Sequence, residues 1–222
     1  MEPIICLRHV TKRYASARRQ VSVLQGFDLE VRHGEFLALM GPSGVGKTTL
    51  LNLIGGLDRP DAGEVIVAGT HLERLSSRQS AAWRSQNAGF VFQAHNLLNI
   101  LSAAANVELP LFLKPISTTE RRTRVSMALH RVGLADRAAH RPSELSGGEQ
   151  QRVGIARALV TDAAILLCDE PTGDLDRATA DDVLALLRDL ATTDGRTILM
   201  VTHDPAAGER ASRVLTLQPS RP

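Results

Sequence analysis

Phe36-Leu37-Ala38-Leu39-Met40-Gly41-Pro42-Ser43-Gly44-Val45-Gly46-Lys47-Thr48 decides the fold of this 222-residue chain. Its first five residues form a continuous apolar run, the pattern of a strand buried on both faces and hence of a parallel sheet. Glycines then turn the chain, and Lys47 to Ile54 reads as a helix. From Gly41 to Thr48 the stretch fits G-x-x-x-x-G-K-[ST], a phosphate-binding loop between strand and helix. In such a loop backbone N–H groups converge on phosphate, and the helix N-terminus adds a favourable dipole. Gly41, Pro42, Ser43, Gly44, Val45, Gly46, Lys47, Thr48 and Thr49 are therefore assigned to a nucleoside triphosphate. Lys47 is expected to reach the β- and γ-phosphates, and the Thr48 hydroxyl to hold Mg²⁺. The rival reading is a glycine turn with an incidental lysine. Lysine is rare here (Lys12, Lys47 and Lys114), so composition does not supply one by accident.

Outward from that stretch, strands and helices alternate. Residues 4–10 and 21–31 alternate apolar and polar, and Gly63 to Gly69 reads as a further strand. Ala164 to Cys168 and Thr197 to Thr202 are apolar, partly β-branched runs suited to a sheet centre. Val183, Leu184, Leu187 and Leu190 give the segment between them a helical buried face. Ser117-Thr118-Thr119-Glu120 predicts a capping box ahead of an apolar stripe of Val125, Ala128, Leu129 and Val132. Glu149 to Val160 predicts another helix. The alternation argues for an α/β fold on a parallel sheet. The strand-poor, arginine-rich stretch from about 95 to 160 reads as an inserted helical subdomain.

Composition narrows the function classes. A hydrophobic content of 43% supports one substantial core, and 3% aromatics require that it be built from Ala, Leu, Val and Ile. A net charge of +2 is too mild for a nucleic-acid binder, so none is expected as a partner. Cys6 and Cys168 have no CxxC spacing and suggest neither a disulfide framework nor a zinc site. No apolar run approaches the roughly 20 residues of a membrane span, and Ile4-Ile5-Cys6-Leu7 is too short for a signal peptide. The expectation is a cytoplasmic chain whose membrane role comes through a separate protein.

Several polar residues end apolar runs. Asp169 closes Ile165-Leu166-Leu167-Cys168, and beside a phosphate-binding loop an aspartate there suits Mg²⁺. Glu170 follows directly as a candidate to orient or deprotonate an attacking water. Gln93 ends Phe90-Val91-Phe92, where a turn glutamine is the plain alternative. His203 follows Thr197 to Thr202, a position where a lone histidine is more often structural. Ser146, Gly147 and Gly148 precede a helix and so form a second anion-binding terminus.

Leu145-Ser146-Gly147-Gly148-Glu149, continued by Gln150-Gln151-Arg152-Val153, lies between the phosphate-binding loop and Asp169-Glu170-Pro171. That order resembles the ATP-binding-cassette (ABC) family along nearly the whole chain. The resemblance implies a P-loop NTPase (RecA-like) core with an N-terminal antiparallel β subdomain and an inserted helical subdomain, all within one ABC ATPase domain over residues 1–222. It implies ATP and Mg²⁺ as cofactors and two copies packed head to tail. In such a pair Ser146, Gly147, Gly148 and Glu149 of one copy cover the γ-phosphate held by the other, and Asp176 crosses the interface. It makes Lys47 and Glu170 catalytic, with Glu170 the catalytic carboxylate. His203 becomes the switch histidine that contacts the γ-phosphate and helps hold Glu170 and the water. Gln93 becomes a residue touching Mg²⁺ or the water, and Tyr14, an aromatic after the first strand, stacks on adenine.

Several stretches are similar to the bacterial branch of lipoprotein-releasing ATPases and macrolide or peptide exporters: Leu53 to Asp58, Gly89 to Gln93 with Asn96-Leu97-Leu98, Asn106 to Pro110, and Arg141 to Leu145. In that branch a cytoplasmic ATPase sits on the inner membrane face beneath a permease with an extracytoplasmic domain. A cell-division or cell-wall regulatory ATPase of the same branch shares most of these motifs and stays open as an alternative. A soluble DNA-repair or translation ATPase, a nucleotide kinase and a GTPase lack support. The chain has no second cassette or basic insertion, and no Asn-Lys-x-Asp segment. Three departures stand out: Asp174 where the branch usually has Asn, Ala105 where an acidic residue commonly precedes Asn-Val, and no Asp-Gly turn in Gln218 to Pro222. None is expected to touch the ATP chemistry.

Overall fold

The computed structural model describes residues 2–16 and 19–218, with side chains left undescribed at 15–20. The C-terminal departure therefore lies outside the described residues beyond Gln218. The chain opens with β1 (Ile5–Ser16) and β2 (Arg19–Val31), an antiparallel pair. β3 (Phe36–Met40), α1 (Lys47–Ile54), β4 (Ala62–Val67), β5 (Thr70–His71), α2 (Ser77–Asn87) and β6 (Ala88–Phe92) follow. Then come α3 (Ala103–Glu108), α4 (Thr118–Arg131) and α5 (Gly147–Leu159), with no strand between β6 and β7 (Ile165–Asp169) among the described residues. α6 (Arg177–Thr192), β8 (Thr197–Val201), α7 (Pro205–Gly208) and β9 (Arg213–Thr216) complete the order.

Two sheets result. One is antiparallel in the order β2-β1-β4-β5, and the other is parallel in the order β6-β7-β8-β3-β9. This is the mixed α/β architecture of the P-loop NTPase core. The continuous apolar runs have a direct cause. Leu37, Leu39, Ile165, Leu167, Leu199 and Val201 face a core shared with α1 and the antiparallel sheet. Their neighbours Phe36, Ala38, Leu166, Cys168, Ile198 and Met200 face a second core shared with α5 and α6. Each strand therefore needs apolar residues at every position rather than every second one. Val183, Leu184, Leu187 and Leu190 are all buried in the second core, each worth about 1.5–3 kcal/mol on burial.

Three details differ from expectation. β1 runs well beyond residue 10, because register shifts between Leu7 and Arg13 break the alternation without ending the pairing. Tyr14 consequently sits inside β1, paired with Val21, rather than after the strand. At α4 the Ser117 hydroxyl accepts from Glu120 N at 3.1 Å, but the Glu120 carboxylate turns to Arg124 at 2.6 Å, so only half of the capping box forms. A full box does form on the unanticipated α2, between Ser76 and Gln79.

Candidate functional site

Strand register sets up the site. Phe92 pairs with Asp169, Asp169 with Val201, and Val201 with Leu39, so four parallel strands end in one row. Gln93, Glu170 and Thr202-His203 leave from that row, and Gly41 follows two residues after Leu39. The carboxyl edge of an open parallel sheet is where such folds bind ligands.

The loop from Gly41 leads into α1, which begins on Gly46 with no side-chain cap. Gly46 has φ +105°, a left-handed conformation that a Cβ disfavours. The first N–H groups of α1 are thus unclaimed by any capping side chain. Lys47 is buried, and its Nζ donates to Gly41 O at 2.7 Å and Pro42 O at 3.1 Å. Phosphate oxygens would replace those carbonyls as partners for the ammonium. Thr48 Oγ1, in the first turn of α1, lies 3.3 Å from Asp169 Oδ1 at the end of β7. Burial pushes the Asp169 carboxyl above its ordinary range, Thr48 opposes this, and the neighbouring Glu170 adds to the rise. A hydroxyl and a carboxylate at this spacing are hard oxygen donors that fit Mg²⁺.

Glu170 leaves β7 with φ +48°, an uncommon conformation for a residue with a side chain. Its N–H still donates to Val201 O at 2.9 Å, which fixes the bend. The bend brings Glu170 Oε2 to 2.7 Å from His203 Nδ1. The two residues are 33 positions apart in sequence and meet because β7 and β8 are neighbours.

Gln93 Nε2 donates to Asp174 Oδ1 at 2.8 Å. The departure at Asp174 was not expected to touch the ATP chemistry; the structure hydrogen-bonds it to Gln93, a residue the sequence assigns to that chemistry. The next residues of that loop are held from the opposite side. Arg157 of α5 donates to His95 O at 2.7 Å and Asn96 O at 2.6 Å. Sequence reading missed Arg157, which carries no motif signal, and noticed Asp174 as a departure without a role.

Tyr14 is exposed, and its hydroxyl donates to Asp58 Oδ2 at 2.7 Å. Lys12 Nζ lies 5.0 Å from the ring centroid and binds Asp58 Oδ1 at 2.8 Å. Burial and the Asp58 hydrogen bond raise the Tyr14 hydroxyl above its ordinary pKa, against a hydrogen bond from Thr49 on α1. Lys12 and Asp58 thus tether the one aromatic assigned to the base, which sequence reading did not anticipate. The scarcity of lysine was the available signal at Lys12.

Ser146 caps α5. Its Oγ accepts from Glu149 N at 3.2 Å, and Glu149 Oε2 accepts from Ser146 N at 2.8 Å, a reciprocal box. Arg137 Nε stands 3.3 Å from Glu149 Oε1. A Cβ on Gly148 would overlap Thr179 Cγ2 of α6. Thr179 in turn donates to Asp176 Oδ2 at 2.6 Å, and Asp176 caps α6. The segments around Ser146 and Asp176 are therefore packed on one another within a single chain. Among the described residues no hydrogen bond or ion pair joins Ser146 or Asp176 to Lys47.

Comparison with known proteins agrees with this geometry. A family model described as "ABC transporter" matches residues 24–173. A macrolide export ATP-binding/permease protein of Paracoccus denitrificans is 46% identical over 99% of this chain, which spans about one third (33%) of that relative. A lipoprotein-releasing system ATP-binding protein of Chromohalobacter salexigens is 46% identical over 96% of this chain and 90% of its own length. A dimeric, post-hydrolysis ATP-binding cassette bound to ADP and Pi superposes with a TM-score of 0.87 at 41% identity, covering 96% of this chain and 94% of that one. The matched segment takes in the phosphate-binding loop, the α5 cap and the Asp169-Glu170 bend, so the chain belongs to the ABC transporter family, as an ATP-binding cassette of its ATPase class.

Proposed function

We propose that this chain binds MgATP at the carboxyl edge of its parallel sheet, pairs with a second copy around two nucleotides, and uses hydrolysis to drive a separate membrane permease. The observation that carries the reading is the Glu170–His203 pair at 2.7 Å, beside the Thr48–Asp169 pair at 3.3 Å. Lys47 would exchange the Gly41 and Pro42 carbonyls for phosphate oxygens. Mg²⁺, held by Thr48 and Asp169 with Gln93 nearby, would neutralise charge on the β- and γ-phosphates. Glu170 would receive a proton from the attacking water on a carboxylate oxygen, while His203 holds that carboxylate in place. Ser146, Gly147, Gly148 and Glu149 would act on the partner copy's nucleotide, with Asp176 at the interface. Tyr14 would stack on adenine. Closure would be a population shift driven by contacts to the γ-phosphate from both copies.

Among the described residues no helix is long and apolar enough to cross a membrane. The permease reading is supported by a groove of about 460 Å³ bounded by Leu57, Arg84, Phe90, Phe92, Leu113 and Arg157. Leu113, which lines it, stands 75% exposed, more apolar surface than a solvated loop needs. Residues from about 95 to 160, α5 among them, would serve as the helical subdomain, which supplies Leu113 and Arg157 to this groove. On this reading the chain sits on the cytoplasmic membrane face and serves export or lipoprotein release.

Glu170→Gln is the test. The variant should bind MgATP, hydrolyse it about 10²- to 10³-fold more slowly, and accumulate as a dimer. Near wild-type turnover would overturn the assignment. Capture of this variant with MgATP from detergent-solubilised native membranes should recover a permease with an extracytoplasmic domain. Recovery of division or cell-wall proteins would move the chain to the regulatory branch.

A further inference from the structure

The Gln93 side chain is exposed and has three rotatable bonds ahead of its amide, so nothing local fixes which end of that amide faces the site. Two contacts fix it from outside. Asp174 Oδ1 lies 2.8 Å from Nε2, and a carboxylate oxygen accepts but does not donate, so the nitrogen rather than the oxygen must face it. Gly173 supplies the room. A Cβ there would stand 3.0 Å from Gln93 Nε2 and 3.1 Å from Cδ, so the amide sits directly against the glycine and would have to give by a few tenths of an ångström to admit a side chain. The backbone beyond Gln93 is already clamped, with the His95 and Asn96 carbonyls on Arg157. The amide orientation is then the adjustable part of the loop, and Asp174 sets it.

We propose that Asp174 is a positioning residue for Gln93: by holding Nε2, it leaves the amide oxygen Oε1 as the end presented to the metal and water side of the site. The consequence follows from donor chemistry. Mg²⁺ takes oxygen ligands, directly or through water, and an amide N–H turned toward it is repelled. Asparagine at 174 offers both an acceptor and a donor, so it would tolerate either orientation of the Gln93 amide. Aspartate tolerates one. Pre-setting that orientation removes a rotamer search from the step in which metal and nucleotide are bound.

The inference rests on the proposed reading of Gln93 as a metal- or water-facing residue, and the experiment separates the two. The ¹⁵N side-chain amide signal of Gln93 would be recorded in nucleotide-free protein and assigned by its loss in Gln93→Ala. Half-saturating Mg²⁺ for ATP hydrolysis, and ATP affinity without Mg²⁺, would be measured in the same set of variants. In Asp174→Ala the Gln93 signal should move toward that of a free glutamine. Half-saturating Mg²⁺ should rise about fivefold, the scale of losing one solvent-exposed charge-assisted hydrogen bond. ATP affinity without metal should hold. Asp174→Asn should fall between wild type and Asp174→Ala.

An unmoved Gln93 signal in Asp174→Ala overturns the inference. So does a Mg²⁺ requirement within about twofold of wild type, when Gln93→Ala itself raises that requirement. If Gln93→Ala leaves the requirement unchanged, the reading of Gln93 falls and this inference falls with it.

Discussion

α1 and α5 both begin beside glycines, yet they treat their first N–H groups in opposite ways. α1 starts on Gly46 with no capping side chain, and its lysine rests on carbonyls of its own loop. α5 starts on Ser146 with a closed capping box and carries a carboxylate, Glu149, in its first turn. The first arrangement leaves the helix start without a capping side chain, which suits a phosphate as its partner. The second has already satisfied two of its donors and adds negative charge, compensated by Arg137. Such an end suits approach to a phosphate whose main cradle lies elsewhere. In the proposed head-to-tail pair, the two copies would contribute one end of each kind to every nucleotide.

Removing the cation from the open end should have the largest effect. Lys47→Ala deletes the ammonium assigned to the β- and γ-phosphates. Hydrolysis should fall by about 10³-fold or more, the scale of losing a charged clamp on a transferring phosphoryl group. Nucleotide-free stability should change far less, because among the described residues the Lys47 ammonium hydrogen-bonds only to Gly41 O and Pro42 O. Steady-state ATPase assays beside thermal unfolding separate the two effects. A variant that keeps turnover within tenfold of wild type would break the comparison at its stronger side.

Opening the closed end should matter less for stability but more for pairing. Ser146→Ala removes the acceptor for Glu149 N. Loss of an N-cap costs about 1 kcal/mol, which in a chain of this size lowers Tm by about 2–4 °C. If Ser146 served only its own helix, nothing further would change. If it also covers a partner's phosphate, Ser146→Ala in the Glu170→Gln background should lose the ATP-induced dimer on gel filtration. A dimer population equal to that of Glu170→Gln alone would confine Ser146 to capping.

The contrast between the two ends was partly legible in the sequence. Gly41 to Thr48 declared its function because a strand, a loop and a helix must follow in fixed order for phosphate to bind, and all three are local. α1 was read to its exact bounds for the same reason. Ser146 and Glu149 were legible as a motif but not as a box, because Ser117 and Glu120 carry the same spacing and close only half of one. What decides is where the carboxylate finds a better partner: Arg124 one turn along α4 takes Glu120, whereas Ser146 N keeps Glu149. The contacts that hold the site were least legible. Asp174 on Gln93, Arg157 on His95 and Asn96, and Asp58 on Tyr14 all join positions at least 44 residues apart. No local pattern encodes a meeting that only the strand order creates.

The smallest effect is also the sharpest probe of the closed end. The Ser146 backbone N–H, then the Ser146 hydroxyl and Arg137, hold the Glu149 carboxyl below its ordinary value of 4.5, against a modest desolvation cost. A carboxyl depressed on folding contributes stability that is fully present above its unfolded pKa and is lost as pH falls through the folded one. Glu149→Gln keeps an oxygen for Ser146 N but cannot titrate and cannot pair with Arg137. At neutral pH the variant should be less stable by about 0.5 kcal/mol, a small figure because solvent screens the pair. Below pH 4.5 the wild-type carboxylate progressively protonates and the difference should close. Urea unfolding of both proteins from pH 7 down to pH 3 measures it. A gap that stays constant through that range would mean that the carboxylate's charge does nothing at the start of α5, and that the two helix ends differ by capping alone.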